Sequence, residues 1–203
     1  GVVAPISEIR KASHSFGSVS TAPDSDGVFR HAGIGSRLGS LNFLSLPFAA
    51  YSAIATDASV IDQSLLDQEG RLALRFLGAA GTFKRYPISS IIKSFQLLEE
   101  GQDPLIKLEE FKDSVVFVGV EAPGLLDLRP TPLAENLTWV EYNATVLDNI
   151  QNQRFIRKSS MLVSLSISAC FILLTAGVLI FIHSPSKSIA GVAVLLIIML
   201  TIS

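Results

Sequence analysis

The stretch expected to set the fold is residues 114–132, SVVFVGVEAPGLLDLRPTP. Residues 115–118 are apolar at four consecutive positions, as in a strand that is covered on both faces of an α/β sheet. The loop after this run lacks the closely spaced glycines of a dinucleotide-binding turn and the Gly-Lys-Ser/Thr ending of a P-loop. The stretch therefore predicts a buried central strand and argues against a phosphate site.

Hydrophobic residues are concentrated at the C-terminal end. The chain has 203 residues, 49% of them hydrophobic, and a mean hydropathy of +0.47, which is high for a soluble domain. Residues 161–182 contain no charged residue, and about 20 apolar positions suffice for a helix to cross a bilayer. Residues 188–203 are also apolar, which predicts a second transmembrane helix cut at Ser203. Because the chain starts at Gly1 without Met, we expect a fragment of a longer protein.

The region before Met161 is mildly acidic. It holds all 18 acidic residues and 15 of the 16 basic residues, which gives a net charge of −3. It has no basic face and no interleaving of aromatic and basic residues, so the composition argues against a nucleic-acid partner. The only cysteine, Cys170, lies in the apolar segment, so no disulfide can form within the chain.

Two strand patterns occur in the acidic region. Residues 16–20 and 28–34 flank TAPDSDG, in which Pro, Asp and Gly favour a tight turn, so a β-hairpin is expected. Residues 71–78 alternate apolar and polar side chains with the period of a half-exposed strand. Both segments are expected to join the sheet that contains residues 115–118.

Helical spacing of apolar residues predicts three helices between these strands. The first covers residues 41–55, where Pro47 must kink the helix or open it. The second begins near Ser89 and has an apolar face of Ile91, Ile92, Phe95 and Leu98; the third covers residues 140–150. We therefore predict an α/β domain over residues 1–158, with a mixed central sheet flanked by helices, followed by transmembrane helices at residues 161–182 and 188–203.

Few residues suggest a catalytic or metal site. Residues 24–27, DSDG, have the spaced acids of a calcium loop but no Glu at its twelfth position, so a turn is favoured. No second histidine or cysteine stands at ligand spacing from His14 or His31, and no Gly-x-Ser-x-Gly elbow is present. Asp127 follows the predicted buried strand, where α/β folds place ligand-binding groups; the alternative is that its side chain caps the loop.

Four stretches, taken in order, resemble the type-two CHASE domain, a cyclase- and histidine-kinase-associated sensory extracellular domain of bacteria. They are residues 24–34, 75–92, 111–133 and 139–150. The positions that match the family pattern are Asp24, Asp26, Gly27, Val28 and Arg30; Gly78, Gly81, Thr82 and Phe83; Val118, Gly119, Asp127, Thr131 and Pro132; and Asn143, Ala144, Asp148 and Asn149. The resemblance covers most of residues 1–158.

The resemblance implies the extracytoplasmic sensor region of a bacterial transmembrane receptor in the inner membrane, with several membrane crossings. The receptor would pass a small-molecule or environmental signal to a cytoplasmic nucleotide cyclase or kinase outside this chain. The chain itself would have no catalytic residue, cofactor or metal, and would act as a homodimer in contact with membrane lipid. The candidate ligand-binding residues are Asp26, Arg30, Asp127 and Thr131.

One alternative and one conflict accompany this interpretation. The alternative is a membrane-anchored α/β enzyme with a site around Asp127. The conflict is that three basic residues, Arg154, Arg157 and Lys158, precede the first apolar helix, whereas only Lys187 follows it. The positive-inside rule alone would place the domain in the cytoplasm, but the resemblance places it outside.

Residues 140–156 lack Gly and Pro, so we expect a nearly continuous helical rod into the membrane.

Overall fold

The computed structural model describes residues 6–55, 62–120, 128–157, 161–181 and 184–202. The chain divides into two compact units, residues 1–157 and 158–203. The elements of the first unit are α1 (Ser7–Ala12), β1 (His31–Gly33), β2 (Gly35–Leu38), β3 (Leu41–Leu44), α2 (Leu46–Ile54), β4 (Arg71–Ala73), α3 (Ile88–Glu99), β5 (Leu128–Thr131), β6 (Ala134–Thr138) and α4 (Trp139–Asn152). Short 3-10 turns cover Gln63–Leu65 and Leu108–Phe111, and the second unit contains α5 (Met161–Phe181) and α6 (Pro185–Ile202).

The described strands form three antiparallel pairs, β1–β4, β2–β3 and β5–β6. In the first pair, Ala32 lies opposite Leu72. Two further backbone hydrogen bonds lie nearby: Phe29 N–H, two residues before β1, donates to the carbonyl of Pro130 in β5 (2.8 Å), and Ile156 N–H donates to the carbonyl of Ala73 in β4 (3.0 Å). The prediction of a mixed central sheet is therefore wrong, and small antiparallel sheets take its place.

Residues 115–118, the predicted central strand, belong to none of these pairs. Val115, Val116 and Val118 expose 39%, 52% and 82% of their surface, so the prediction that they are buried is also wrong. A run of β-branched residues satisfies the local requirement for a strand, but it does not specify a pairing partner or a covering layer. The described part of the chain supplies neither for this run.

Two other local patterns differ in the structure. The predicted helix over residues 41–55 is divided, because Pro47 stands in the first turn of α2 and residues 41–44 form β3. Proline is tolerated there since the first-turn N–H groups have no helical partner. The turn at residues 24–27 is confirmed, but the expected hairpin is not, since β1 pairs with β4 and Ser18 pairs with Ser45.

The core of the first unit forms where α4 packs against the β1–β4 pair and α2. Tyr142, Val146 and Ile150 recur at four-residue spacing and are each at least 98% buried. Full burial of an aliphatic side chain such as Val146 or Ile150 contributes about 1.5–3 kcal/mol. The other members of the core are Phe29, Ala32, Phe48, Leu72, Leu74, Leu137 and Phe155.

Asn149 binds the backbone that follows β4. It is fully buried, and its Oδ1 accepts the N–H of Arg75 while its Nδ2 donates to the carbonyl of the same residue, both at 2.9 Å. The amide also donates to the carbonyl of Thr145 at 2.8 Å. The Asn149 side chain therefore makes the two backbone hydrogen bonds that a neighbouring strand would otherwise make with Arg75.

α4 ends at Asn152 and does not continue into the next helix. Gln153 adopts the left-handed conformation (φ 52°, ψ 41°), after which Phe155 is buried in the core and Ile156 pairs with Ala73. The expected continuous rod is therefore wrong. Leaving the helix gives Phe155 a buried site and gives Ile156 a strand-like hydrogen bond, and local helix propensity does not include either contribution.

In the second unit, α5 and α6 pack against each other. One helix among the described residues is long and apolar enough to cross a membrane, and its span is Leu162–Ile180 in α5. Residues 188–202 lie within α6, so the predicted helix is present, and its crossing of the membrane stays a prediction. The candidate span found among the described residues is the one in α5.

We expect Asn149→Ala to lower the free energy of unfolding by about 1–3 kcal/mol, because it removes the two hydrogen bonds to Arg75 from a buried site. Asn152→Ala is the matched control on the same helix, since Asn152 is exposed and bonds only to Asp148. The control should change stability by no more than about 0.5 kcal/mol. Urea unfolding measures both values, and equal effects would contradict the role given to Asn149.

Candidate functional site

A cluster of charged side chains lies where the turn at residues 24–27 meets β1 and the start of β4. We call it the Asp24 cluster; its members are Asp24, Asp26, Arg30, His31, Asp67, Glu69 and Arg71. Four carboxylates face two guanidinium groups, so with His31 neutral the cluster has two more negative charges than positive ones. The cluster contains the acids and the arginine that the sequence analysis singled out in the turn.

The turn geometry directs both aspartates towards Arg30. Gly27 has a φ of +82°, a conformation that costs glycine little, and its N–H donates to the carbonyl of Asp24 at 2.9 Å. Asp26 Oδ1 accepts the N–H of Val28 at 3.1 Å. Both carboxylate oxygens of Asp26 contact the Arg30 guanidinium, at 2.9 and 2.8 Å, in the two-point geometry that suits this pair.

Asp24 connects segments that are distant in the sequence. Its Oδ1 lies 2.8 Å from Nδ1 of His31 and 3.2 Å from Nη1 of Arg71, and its Oδ2 accepts a hydrogen bond from Arg30 at 3.2 Å. Arg71 in turn donates through Nε to Asp67 at 3.0 Å. The carboxylate of Asp24 thus ties the turn and β1 to the first residue of β4.

The pKa values of the acids reflect this pairing. Burial by itself raises the pKa of Asp24, but hydrogen bonds from His31 and Arg30 outweigh it, so the pKa lies below its ordinary value. The hydrogen bond from Arg30, followed by that from the Val28 N–H, lowers the pKa of Asp26 to about 2. Both carboxylates are therefore ionised at neutral pH.

The outer part of the cluster is accessible. The side chains of Asp26 and Glu69 are 52% and 63% exposed, whereas those of Asp24 and Asp67 are 15% and 6% exposed. In the described residues, no group of three or more His, Cys, Asp or Glu side chains is arranged to hold a metal ion. The exposed Asp26–Arg30 pair offers a charged ligand both an acceptor and a donor.

The structure brings together two of the four candidate ligand-binding residues, Asp26 and Arg30. Thr131 lies elsewhere: it is buried, and its hydroxyl donates to the carbonyl of Ala134 (3.0 Å) and accepts the N–H of that residue (3.2 Å). Its observed contacts thus close the β5–β6 hairpin. Asp127 lies outside the described residues, so its predicted role stays a prediction.

A buried acid outside the Asp24 cluster, Glu141, was missed by the sequence analysis. Its Oε1 accepts the N–H groups of Gly81 (2.8 Å) and Phe83 (3.4 Å), and its Oε2 pairs with Arg85. The Gly-x-x-Gly-Thr-Phe stretch is thus the loop that binds Glu141 at the start of α4. The available sequence signal was the Thr138-x-x-Glu141 spacing, which is typical of a helix N-terminus, and the Thr138 hydroxyl accepts the N–H of Glu141.

A small cleft lies beside α4, lined by Ser18, Thr21, Ser45, Trp139, Tyr142 and Asn143, among others. Its interior volume is about 10 Å³, roughly that needed for one water molecule. The Tyr142 hydroxyl donates to the carbonyl of His31 at 2.7 Å, and burial raises the pKa of Tyr142 to about 12. The cleft is therefore too small for an organic ligand, and the Asp24 cluster is the better candidate.

One comparison with known proteins gives a match. A family model described as the CHASE2 domain matches residues 2–182, which include the Asp24 cluster, Glu141 and all of α5. No curated protein and no solved structure matches the chain. The family match therefore stands beside the geometry described above as the second line of evidence on function.

We expect the contribution of Asp26 to stability to fall as the pH is lowered. Its pKa is lower in the folded chain than the ordinary value of about 3.9, so the contribution is complete above that value and is lost as the pH falls towards about 2. Asp26→Asn should therefore lose less thermal stability than the parent between these pH values. Asp103→Asn, an exposed acid outside the cluster, should behave as the parent does; an Asp26→Asn profile that matches the parent would contradict this assignment.

Proposed function

The chain belongs to the CHASE2 domain family of sensory extracellular domains in signalling receptors, and we propose that it is the extracytoplasmic input region of a bacterial receptor. A signal received by residues 1–157 would pass through α5 to a cytoplasmic nucleotide cyclase or kinase outside this chain. The receptor would lie in the inner membrane, cross it more than once and act as a homodimer. The chain itself is a sensor and not a catalyst.

The observation that supports this function is the position of β4. This strand contacts the Asp24 cluster at one end and, at the other, residues 154–157, which we call the exit segment because they end the first unit. Arg71, its first residue, binds Asp24, and Ala73, its last residue, accepts the N–H of Ile156. Residue 157 is the last residue of the first unit. A displacement of Arg71 would therefore reach the exit segment through three residues of one strand.

This path replaces the rigid rod as the proposed route of the signal. A ligand that competes for Asp26 or Arg30 would change the ion pairs of Asp24, and with them the position of Arg71. A ligand that binds one arrangement tenfold more tightly changes the ratio of the two arrangements up to tenfold, which corresponds to about 1.4 kcal/mol. Phe155 and Ile156 would transmit the change because both are held by the domain.

The enzyme alternative gains no support from the described residues. Its proposed centre, Asp127, lies outside them, and Asp26 has an arginine and a backbone N–H as its partners. A general acid or base needs a pKa near the working pH, whereas the pKa of Asp26 is about 2. Asp26 is thus better suited to ion pairing than to proton transfer.

Reporter fusions test the proposed topology. Alkaline phosphatase, which folds only outside the cytoplasm, should be active when fused after Lys158 and inactive when fused after Lys187, because α5 separates the two positions. A cytoplasmic reporter such as β-galactosidase should give the reverse pattern at the same two positions. Active phosphatase at Lys187 and inactive phosphatase at Lys158 would place the domain inside the cell and overturn the proposal.

Amide hydrogen exchange tests the proposed path. Asp24→Asn weakens the ion pair with Arg71, so the Ile156 amide, which bonds to β4, should exchange faster. The Leu137 amide in β6 should change less, which separates the effect from general destabilisation. Asp103→Asn is the control, because Asp103 is an exposed acid outside the Asp24 cluster. If Asp24→Asn leaves exchange at Ile156 unchanged, the path through β4 is wrong.

A further inference from the structure

Helix α3 exposes its apolar face. Ile88, Ile92 and Phe95 share one side of the helix and are 59%, 53% and 62% exposed; Ile92 and Phe95 belong to the apolar face that the sequence analysis assigned to this helix. On another side of the helix Ser94 is buried; its hydroxyl donates to the carbonyl of Ser90 within α3 (2.8 Å) and accepts the N–H of Ile106 in the following segment (3.0 Å). The helix therefore buries Ser94 and exposes Ile88, Ile92 and Phe95.

We propose that this face, the α3 stripe (Ile88, Ile92 and Phe95), is where a second copy of the chain docks, with the two α3 helices antiparallel. The inference rests on the proposed function, because it names the surface of the homodimer suggested there. Burial of three large apolar side chains per copy favours association, since the driving force is roughly proportional to the apolar area removed from water. An exposed apolar stripe of this kind marks an interaction site.

The stripe is self-complementary. Ile88 and Glu99 lie at the two ends of α3, and Ile92 and Phe95 lie between them at equal distances from those ends. About a two-fold axis, antiparallel helices place Ile92 of one copy beside Phe95 of the other. Antiparallel packing of amphipathic helices is a common way to cover such faces, with helix axes about 8–10 Å apart.

Charge at the ends of α3 favours the antiparallel arrangement. The N-terminus has no side-chain cap and no acidic residue in its first turn, whereas Glu99 and Glu100 follow one another at the C-terminal end, where no basic residue is present. Acids are unfavourable at a helix C-terminus and favourable at an N-terminus. An antiparallel second copy brings the glutamates of each chain to the uncapped N-terminus of the other, whereas a parallel copy would set them side by side.

The same charges argue against a lipid surface as the occupant. Amphipathic helices that bind membranes carry many basic residues on the polar face, and α3 has Lys93 alone. A pair of 12-residue helices is about 18 Å long and gives an interface below the usual size for a stable complex. The dimer is therefore weak in free solution and depends on the high effective concentration of chains held in one membrane.

Cysteine cross-linking in membranes tests the arrangement. In the full chain with Cys170→Ser, the double variant Ile88→Cys/Glu99→Cys should form disulfide-linked dimers on mild oxidation, because the two positions meet across the two-fold axis. Each single variant should cross-link at least tenfold less, since the ends of α3 lie about 16 Å apart. Equal cross-linking of a single variant with itself would indicate a parallel arrangement, and no cross-linking of any variant would mean that the stripe is not the interface; either result overturns the proposal.

A second measurement separates this inference from the proposed function. Phe95→Glu should lower the dimer fraction in membranes at least tenfold without changing the melting temperature of the dilute, detergent-solubilised chain, in which the parent is monomeric, while Ile9→Glu, a similarly exposed position on α1, should leave both unchanged. A lower melting temperature for Phe95→Glu would indicate that another part of the same chain covers the stripe, and an unchanged dimer would place the interface elsewhere. Both results overturn the α3 interface, whereas the reporter fusions decide the sensor assignment independently.

Discussion

The backbone hydrogen bonds on both sides of β4 are the constraint on which the first unit depends. A three-residue strand has too few bonds to persist alone, and Leu72 at its centre is fully buried. One side is satisfied by β1. The other side is satisfied by unlike groups, namely the turn before Arg71, the N–H of Ile156 and, just beyond the strand, the side chain of Asn149. Core packing, the charged cluster and the exit segment therefore meet at one strand.

The local features of the sequence were largely predictable. The helix over residues 140–150, the turn at residues 24–27 and the start of a strand at residue 71 are all present, because capping, turn residues and periodicity act within a few positions. The errors concern pairing and orientation. Residues 115–118 have the composition of a buried strand but pair with no strand in the described part of the chain. Helix α3 exposes Ile92 and Phe95 and buries Ser94, which accepts the N–H of Ile106.

In the candidate site, too, contacts between residues close in the sequence were predictable and contacts between distant residues were not. The resemblance to a known family identified Asp26 and Arg30, which lie four residues apart and form an ion pair. The role of Arg71 was not predictable, because 47 residues separate it from Asp24. Glu141 and Asn149 were missed as buried polar residues, since their residue types usually indicate exposure. Their partners are backbone groups of distant loops, and a single sequence contains no direct signal for such contacts.

The end of α4 has a consequence for the construction of chimeric receptors. A designer who joins this sensor to a foreign output module would naturally cut at the last helical residue, Asn152. That junction would discard Phe155 and Ile156, which belong to the domain by burial and by hydrogen bonding although they lie outside its last helix. The transplantable module therefore ends at residue 157, and the four residues after Gln153 should be inherited with the sensor and not with the linker.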